Sequence, residues 1–405
     1  VQAYLELVRT ERRHGRALRS ALDQLAASLR AAGDTRRAEQ VWPDAMRQLP
    51  ESLARWVQET RKPEQPPAPP RTMRSYDMVV VVPGVTDNIL RTPDGARIAL
   101  APLPPDIGDD HPDDGILAGE LDRAGYIKLL DALGAHGYTQ TTGNLMLLPY
   151  DWRLSNRWTG RWIGEQVEPA LAAWRDKNNP DAKVVFVCVS TGGLPTRWYV
   201  ERCGGAEITA GMITIGTPYR GTMYDLEKLV DGTADPHLTD VWRSLPSEYQ
   251  TLPIYNCIEH RGNRVPLHEV DVPVLDRHRV EDGIAFLPDL LDAESSRPHA
   301  LANTYSIIGA GHETPVTARI QRRKLIVSPQ LGDNLWQGDS YVPTFSASHP
   351  ALASTRTFEV QERHDRLHSN DEVLRELTRI LPRATGKQGT PSSDTTSTLQ
   401  LPPPT

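Results

Sequence analysis

Cysteine is scarce in this chain. Three residues in 405, Cys188, Cys203 and Cys257, cannot form a disulfide framework, and no C-x-x-C pair offers a metal site. They read as reduced, mostly buried thiols. Long apolar runs are also missing. The longest, Met78–Val82 and Val184–Val189, have the length of strands and fall far short of the ~18 residues that cross a bilayer. Neither sign of charge dominates: the net charge is -7 and the pI about 6.0, which gives no reason to expect nucleic acid as a partner. What is present is ample apolar content, 39% of residues, enough to bury a large core.

The chain divides by composition. Residues 1–62 show helical spacing (Tyr4, Leu5, Val8; Leu18, Leu22, Leu25, Leu29) and carry 12 Lys/Arg against 8 Asp/Glu. This N-terminal helical segment is expected either to pack on itself or to dock a protein partner, and its charge allows transient contact with an anionic membrane surface. Residues 63–72 are a proline-rich linker, stiff because proline cannot donate to helix or sheet. Residues 383–405, rich in Gly, Pro, Ser and Thr, read as a disordered tail. No secretory leader is visible in the Arg- and Glu-rich N-terminus, so a cytoplasmic location is expected, or a secreted one if a signal once preceded Val1.

Residues 73–382 alternate strand and helix. Strands are expected at Asp77–Val82, Asn144–Leu148, Lys183–Val189, Ala210–Ile215, Thr304–Ile308, Lys324–Val327 and Thr357–Val360. Helices are expected at Leu121–Leu133, Thr159–Asp176, Gly192–Arg202 and Asp371–Leu381. Continuous apolar strands between helices predict an α/β fold, a mostly parallel sheet covered on both faces. The span from about 223 to 302 breaks the rhythm and is expected to form an inserted cap over the sheet's carboxyl edge, where it would enclose an acyl chain.

Cys188-Val189-Ser190-Thr191-Gly192-Gly193 follows a buried strand and opens a helix. A serine on such a turn has a strained backbone and an exposed hydroxyl, and it is the candidate nucleophile; the plain alternative is a helix N-cap. A nucleophilic serine needs a base and an acid to orient it. Asp339, in Gly338-Asp339-Ser340-Tyr341-Val342-Pro343, and His364 follow in the order Ser, Asp, His. Asp333 is a rival acid, and His349 and His368 are rival bases. The backbone N–H groups of Val85, in the loop Pro83-Gly84-Val85-Thr86, and of Thr191 are the expected oxyanion donors. Asp151, Trp152 and Arg153 lie after a strand. Arg153 is expected to pair with a buried carboxylate as a brace in preference to contacting substrate.

These blocks, in this order, resemble the lecithin:cholesterol acyltransferase family of α/β-hydrolases. Pro83-Gly84-Val85 is similar to its P-G-[IV] loop, Pro149–Arg153 to P-Y-D-W-R, and Cys188–Gly193 to G-H-S-x-G-G with Cys-Val in place of Gly-His. Ile215–Thr222 resembles [IL]-G-[TA]-P-x-x-G-[ST], Gly338–Pro343 resembles G-D-x-[TS]-V-P, and His364–Asn370 with Val373 resembles H-x5-N-x-x-[VI]. The spacing to Asn370 favours His364 over His368. The resemblance implies an α/β-hydrolase fold and O-acyl transfer from a lipid or other acyl ester through an acyl-Ser190 intermediate, with an alcohol as acceptor. With water as acceptor the same residues give a lipase- or phospholipase-type esterase. A weakly active scaffold acting as an adaptor through residues 1–62 is the reading from another class. No metal and no organic cofactor is expected.

Overall fold

The computed structural model describes residues 77–384, apart from 99–100, 105–106, 111–113, 179, 234, 273, 298–302, 323, 332–333, 350 and 353. The N-terminal helices, the proline-rich linker, all but the first two residues of the tail, and Asp333 lie outside them.

Six strands form the central sheet: β1 (Met78–Val82), β2 (Leu145–Leu147), β3 (Val184–Val189), β4 (Thr209–Ile215), β5 (Thr304–Ala310) and β6 (Thr357–Gln361). Their spatial order is β6-β5-β4-β3-β1-β2, and every adjacent pair is parallel. Alternate residues of each strand feed opposite faces. Val80, Val82, Phe186, Cys188 and Met212 pack under Ile163, Val167, Leu171 and Trp174 of α2 (Asn156–Asn178) and under Tyr199 and Val200 of α3 (Gly193–Arg202). Val79, Val81, Val187, Ile213 and Ile307 pack on the other side. There they meet Tyr126, Leu129 and Leu133 of α1 (Arg123–Ala135), and Val373, Leu377 and Ile380 of α7 (Asp371–Ala384). Both faces are dry, so β1 and β3 are apolar at every position.

The chain runs outward from β1 to β2 and then crosses to β3 on the other side of β1. The strand order therefore reverses between β1 and β3, where an open parallel sheet leaves a crevice at its carboxyl edge. Val82 pairs with Cys188 in register, which brings the loop after β1 beside the turn after β3.

Between β4 and β5 the chain makes α4 (Met223–Asp231), α5 (Pro236–Ser244), a hairpin of Ile258–His260 with Asn263–Val265, and α6 (Arg277–Ser295). Two expectations change here. The strand Lys324–Ser328 forms but is not in the central sheet. It pairs antiparallel with Thr317–Gln321, which joins the hairpin, so the inserted layer also uses residues beyond 302. Its burial alternates, with Leu325 inward and Lys324 and Ile326 outward, as expected for a strand covered on one face only. Helix α6, in turn, lays Phe286, Leu287 and Leu290 against Leu194 of α3, beside the sheet.

Arg153 is wholly buried. Its guanidinium donates to Asp151 through Nε (2.9 Å to Oδ1) and Nη2 (2.6 Å to Oδ2), and to Asp114 Oδ2 through Nη1 at 3.0 Å. Removing the Asp151 charge leaves the buried cation only the partly exposed Asp114 as a charged partner. The Asp151→Asn variant is expected to lose about 3 kcal/mol of stability, read as a lower midpoint in thermal or urea unfolding; an unchanged midpoint would show that Asp151 is not what holds the cation.

Candidate active site

Ser190 has φ = 51°, in the left-handed region that a residue with a side chain rarely occupies. The strand ends at Val189, Ser190–Gly192 turn once as a 3-10 helix, and α3 begins at Gly193. Space forces the two glycines. A Cβ on Gly192 would lie 2.3 Å from the Pro83 carbonyl oxygen, and one on Gly193 would lie 2.3 Å from Thr217 Oγ1. Thr217 also donates to the Ser190 carbonyl at 2.7 Å and so fixes the turn from the β4 side. Cys188, where the resemblance has glycine, is fully buried in the core beneath α2 and α3, and burial pushes its thiol up to about 12. It is an inert packing group at the foot of the turn.

Ser190 Oγ lies 2.8 Å from His364 Nε2, and His364 Nδ1 lies 2.7 Å from Asp339 Oδ2. His364 begins a helical turn after β6, and Asp339 sits in the loop that follows the short strand Gln337–Gly338. Asp339 is fully buried, and its other oxygen, Oδ1, accepts the N–H groups of Tyr341 (2.9 Å) and Val342 (2.6 Å). The His364 N–H donates to the Asp339 carbonyl at 2.9 Å. Gly309 passes so close that a Cβ there would meet Asp339 Cβ at 2.5 Å.

Burial by itself would lower the pKa of His364. The charge of Asp339 and its hydrogen bond outweigh that, with help from Asp225 and Asp87, and the pKa stands above the ordinary value. The rival bases are engaged elsewhere. His349 is buried against Glu294, with Nε2 2.6 Å from Oε2, and meets Tyr219 edge-on. His368 stacks on Tyr126 with ring centroids 4.6 Å apart, and burial lowers its pKa.

The loop after β1 is anchored by Asn88, whose amide donates to the Gly84 carbonyl at 3.1 Å and whose Oδ1 accepts the Tyr150 N–H. Val85 is beside the serine as expected, but its N–H donates to Thr191 Oγ1 at 3.0 Å. The sequence assigned a role to the Thr191 backbone and none to its hydroxyl. Trp152 is buried and stacks on Trp242 of α5, while Asp151 and Arg153 form the brace described above.

Several residues that contact the site escaped the sequence reading. The Tyr341 ring stacks on the His364 imidazole with centroids 4.8 Å apart, and its hydroxyl donates to Asp225 Oδ1 at 2.7 Å. Asp225 lies in the first turn of α4, capped by Thr222. Lys228, one turn on, pairs with Asp225 at 3.3 Å and with Glu248, and lies 4.0 Å over the Trp242 ring. Burial raises the Glu248 carboxyl to about 7 against the pull of Lys228. The signal for Tyr341 was its place two residues after Asp339; the sequence reading gave Asp225 and Lys228 no role. These groups line a cavity of about 510 Å³ that opens over Ser190 and His364. Among the described residues, no group of three or more His, Cys, Asp or Glu is placed to hold a metal ion.

No family model matches the chain, and no curated protein matches it in sequence. Solved structures do match it in shape. One chain of a Tle4–Tli4 complex superposes with a TM-score of 0.57 at 13% identity, covering 78% of this chain and 99% of that one. The mature lipase BlEst2 of Bacillus licheniformis gives 0.43 at 10% identity, covering 77% and 94%. An α/β hydrolase superfamily protein of Enterococcus faecalis gives 0.30 at 11% identity, covering 78% and 93%. The parallel sheet, its helices on both faces, the reversal between β1 and β3 and the serine turn after β3 make this an α/β-hydrolase fold.

The His364 imidazole, followed by NMR in histidine-labelled protein, is expected to titrate above 6.5. In Asp339→Asn, burial is left as the largest influence on the ring and the midpoint is expected to move down. A midpoint that stays in place would mean that Asp339 does not bear on His364.

Proposed function

We propose that the chain cleaves acyl esters through a covalent acyl-Ser190 intermediate. The observation that carries this reading is the continuous hydrogen-bonded line from Ser190 Oγ through both nitrogens of His364 to a buried carboxylate, with the serine held at positive φ. Ser190 Oγ attacks the ester carbonyl carbon while His364 Nε2 takes its proton. Asp339 holds Nδ1–H and stabilises the imidazolium. As the tetrahedral intermediate collapses, the bond to the alcohol oxygen breaks, and His364 returns the proton to that oxygen. The acyl group stays on Ser190. A second acceptor then gives its proton to His364 and attacks the acyl carbonyl, releasing Ser190.

The oxyanion sits between the loop after β1 and the N-terminus of α3. The N–H of Thr191 faces it from the start of the turn, and the N–H of Val85, given to Thr191 Oγ1 at rest, serves it once that hydroxyl rotates away. Water as the acceptor makes the enzyme an esterase of lipase type; an alcohol held in the cavity makes it an O-acyltransferase. No described helix is long and apolar enough to cross a membrane.

Ser190→Ala is expected to lower kcat on a butyrate ester by about 10³-fold or more and to abolish fluorophosphonate labelling. The base must be neutral to accept a proton, so kcat/KM should rise with pH through a midpoint above 6.5 and then level off. An Ala variant with near-normal turnover would remove Ser190 from the mechanism. Mass spectrometry of products with and without added alcohol separates transfer from hydrolysis.

A further inference from the structure

Tyr341 stands where the resembling motif has threonine or serine, and its ring covers the imidazole of His364. The two rings are within 19° of parallel, with centroids 4.8 Å apart. The first turn of α4 grips the phenol. The Tyr224 ring lies on it with centroids 4.0 Å apart, and Asp225 Oδ1 accepts its hydroxyl at 2.7 Å. Two rings cannot share one face of a phenol at these separations, so Tyr341 is held between Tyr224 and His364. Burial and the Asp225 charge raise the pKa of its hydroxyl, which therefore stays the donor.

The edges of the imidazole are already taken. Ser190 Oγ and Asp339 Oδ2 meet its two nitrogens, and Gly216 passes so close that a Cβ there would lie 3.3 Å from Cε1 and Nδ1. The charges around it are Asp339, Asp87 from the loop after β1 and Asp225 from α4, with Arg363, Asp365 and His368 on its own turn. Arg363 and Asp365 pair with each other at the surface, 3.5 Å apart. A face of the ring is left for Tyr341. The face of a phenol attracts a cation held over it, and a hydroxyl that donates to a carboxylate makes that face richer in electrons. In ester cleavage His364 is a cation between taking the Ser190 proton and returning it. The attraction therefore acts in the reacting states more than at rest, which is where it raises kcat.

Resting on the ester cleavage proposed above, we infer that Tyr341 is a positioning residue for the base: its ring, fixed by α4, holds the orientation of the His364 imidazole and stabilises the imidazolium through its face. The inserted layer thereby bears on the chemistry as well as covering it, since Tyr224 and Asp225 set where the phenol lies. A threonine at this position, as in the resembling motif, has no such face.

The test is a series at position 341 of the full chain: Tyr341→Phe, the same phenylalanine with one and with three ring fluorines placed by nonsense suppression, and Tyr341→Leu. The fluorinated rings keep their shape while the face loses electrons. On a butyrate ester, kcat is expected to stay within about 3-fold in Tyr341→Phe, to fall stepwise with fluorine, and to drop about 5- to 30-fold in Tyr341→Leu, with KM changed by less than about 3-fold. The His364 midpoint, read by NMR in histidine-labelled protein, should descend in the same order, by about 0.5 to 1 pH unit in the Leu variant. Packing alone does not distinguish the fluorinated rings. A midpoint or a kcat that stays constant across the phenylalanine series would overturn the inference, and so would a Leu variant that matches the unaltered chain. If thermal unfolding shows that the Leu variant does not fold, the fluorine series decides alone. If no ester is cleaved, the catalytic reading fails on its own account. The midpoints then decide: a stepwise fall supports a face that favours the imidazolium, and a constant midpoint overturns it.

Discussion

The crowding of two strand ends governs the rest of this molecule. Val82 and Cys188 are paired neighbours at the carboxyl edge, and the helix after β3 must start within contact of the chain leaving β1. Gly192 has room for a hydrogen and nothing larger, because the Val82 and Pro83 carbonyl oxygens would stand 2.7 and 2.3 Å from a Cβ. That approach leaves one sharp path for the turn, and the path takes Ser190 into the left-handed region. The strain is held by packing on both faces of the sheet and by the Thr217 hydroxyl on the Ser190 carbonyl. The side chain is thereby lifted out of the core toward the crevice, where His364 meets it.

Much of this was legible in the sequence because it rests on local rules. Uninterrupted β-branched runs such as Val79–Val82 mean burial on both faces, which in turn means a parallel sheet. The order of Ser190, Asp339 and His364 along the chain, each in a loop, matched a known spatial solution, and the structure brings those three side chains together. What failed was what depends on partners distant in sequence. Lys324–Ser328 has a strand's periodicity, but periodicity does not name the sheet; its pairing with Thr317–Gln321 does. Cys188 stands where the resembling motif has glycine. In the folded chain its thiol occupies space in the core beneath α2 and α3, and the close contacts fall on Gly192 and Gly193. Tyr341 was quoted as part of a motif without a role, because nothing local reveals that its ring will lie on an imidazole 23 residues ahead in the chain.

The electrostatics of His364 follow from a competition between burial and charge. A buried imidazole disfavours its charged form, which would make a poor acceptor of the serine proton. Asp339 reverses that preference, and two backbone N–H groups and the imidazole N–H satisfy its fully buried oxygens. The loop that supplies those N–H groups also supplies Tyr341. The short span from Gly338 to Pro343 thus fixes the acid, orients the ring by hydrogen bonding, and packs its face.

Tyr341 also joins that span to the inserted layer through Asp225, and this link explains why so many charges are buried in one place. A cap held only by apolar contacts could slide over the crevice, since such contacts have no direction. Asp225 has several simultaneous partners: the Tyr341 hydroxyl, the Thr222 hydroxyl and the Lys228 ammonium. Each is directional, and together they allow one placement of α4 relative to the His364 loop. Burying the Lys228–Glu248 pair costs desolvation that the pair's own attraction only partly offsets, which is why Glu248 is held so far above an ordinary carboxyl. An apolar pair of the same size would stabilise the layer more, but it would fix neither the register of the cap nor the polarity of the cavity wall that faces Ser190.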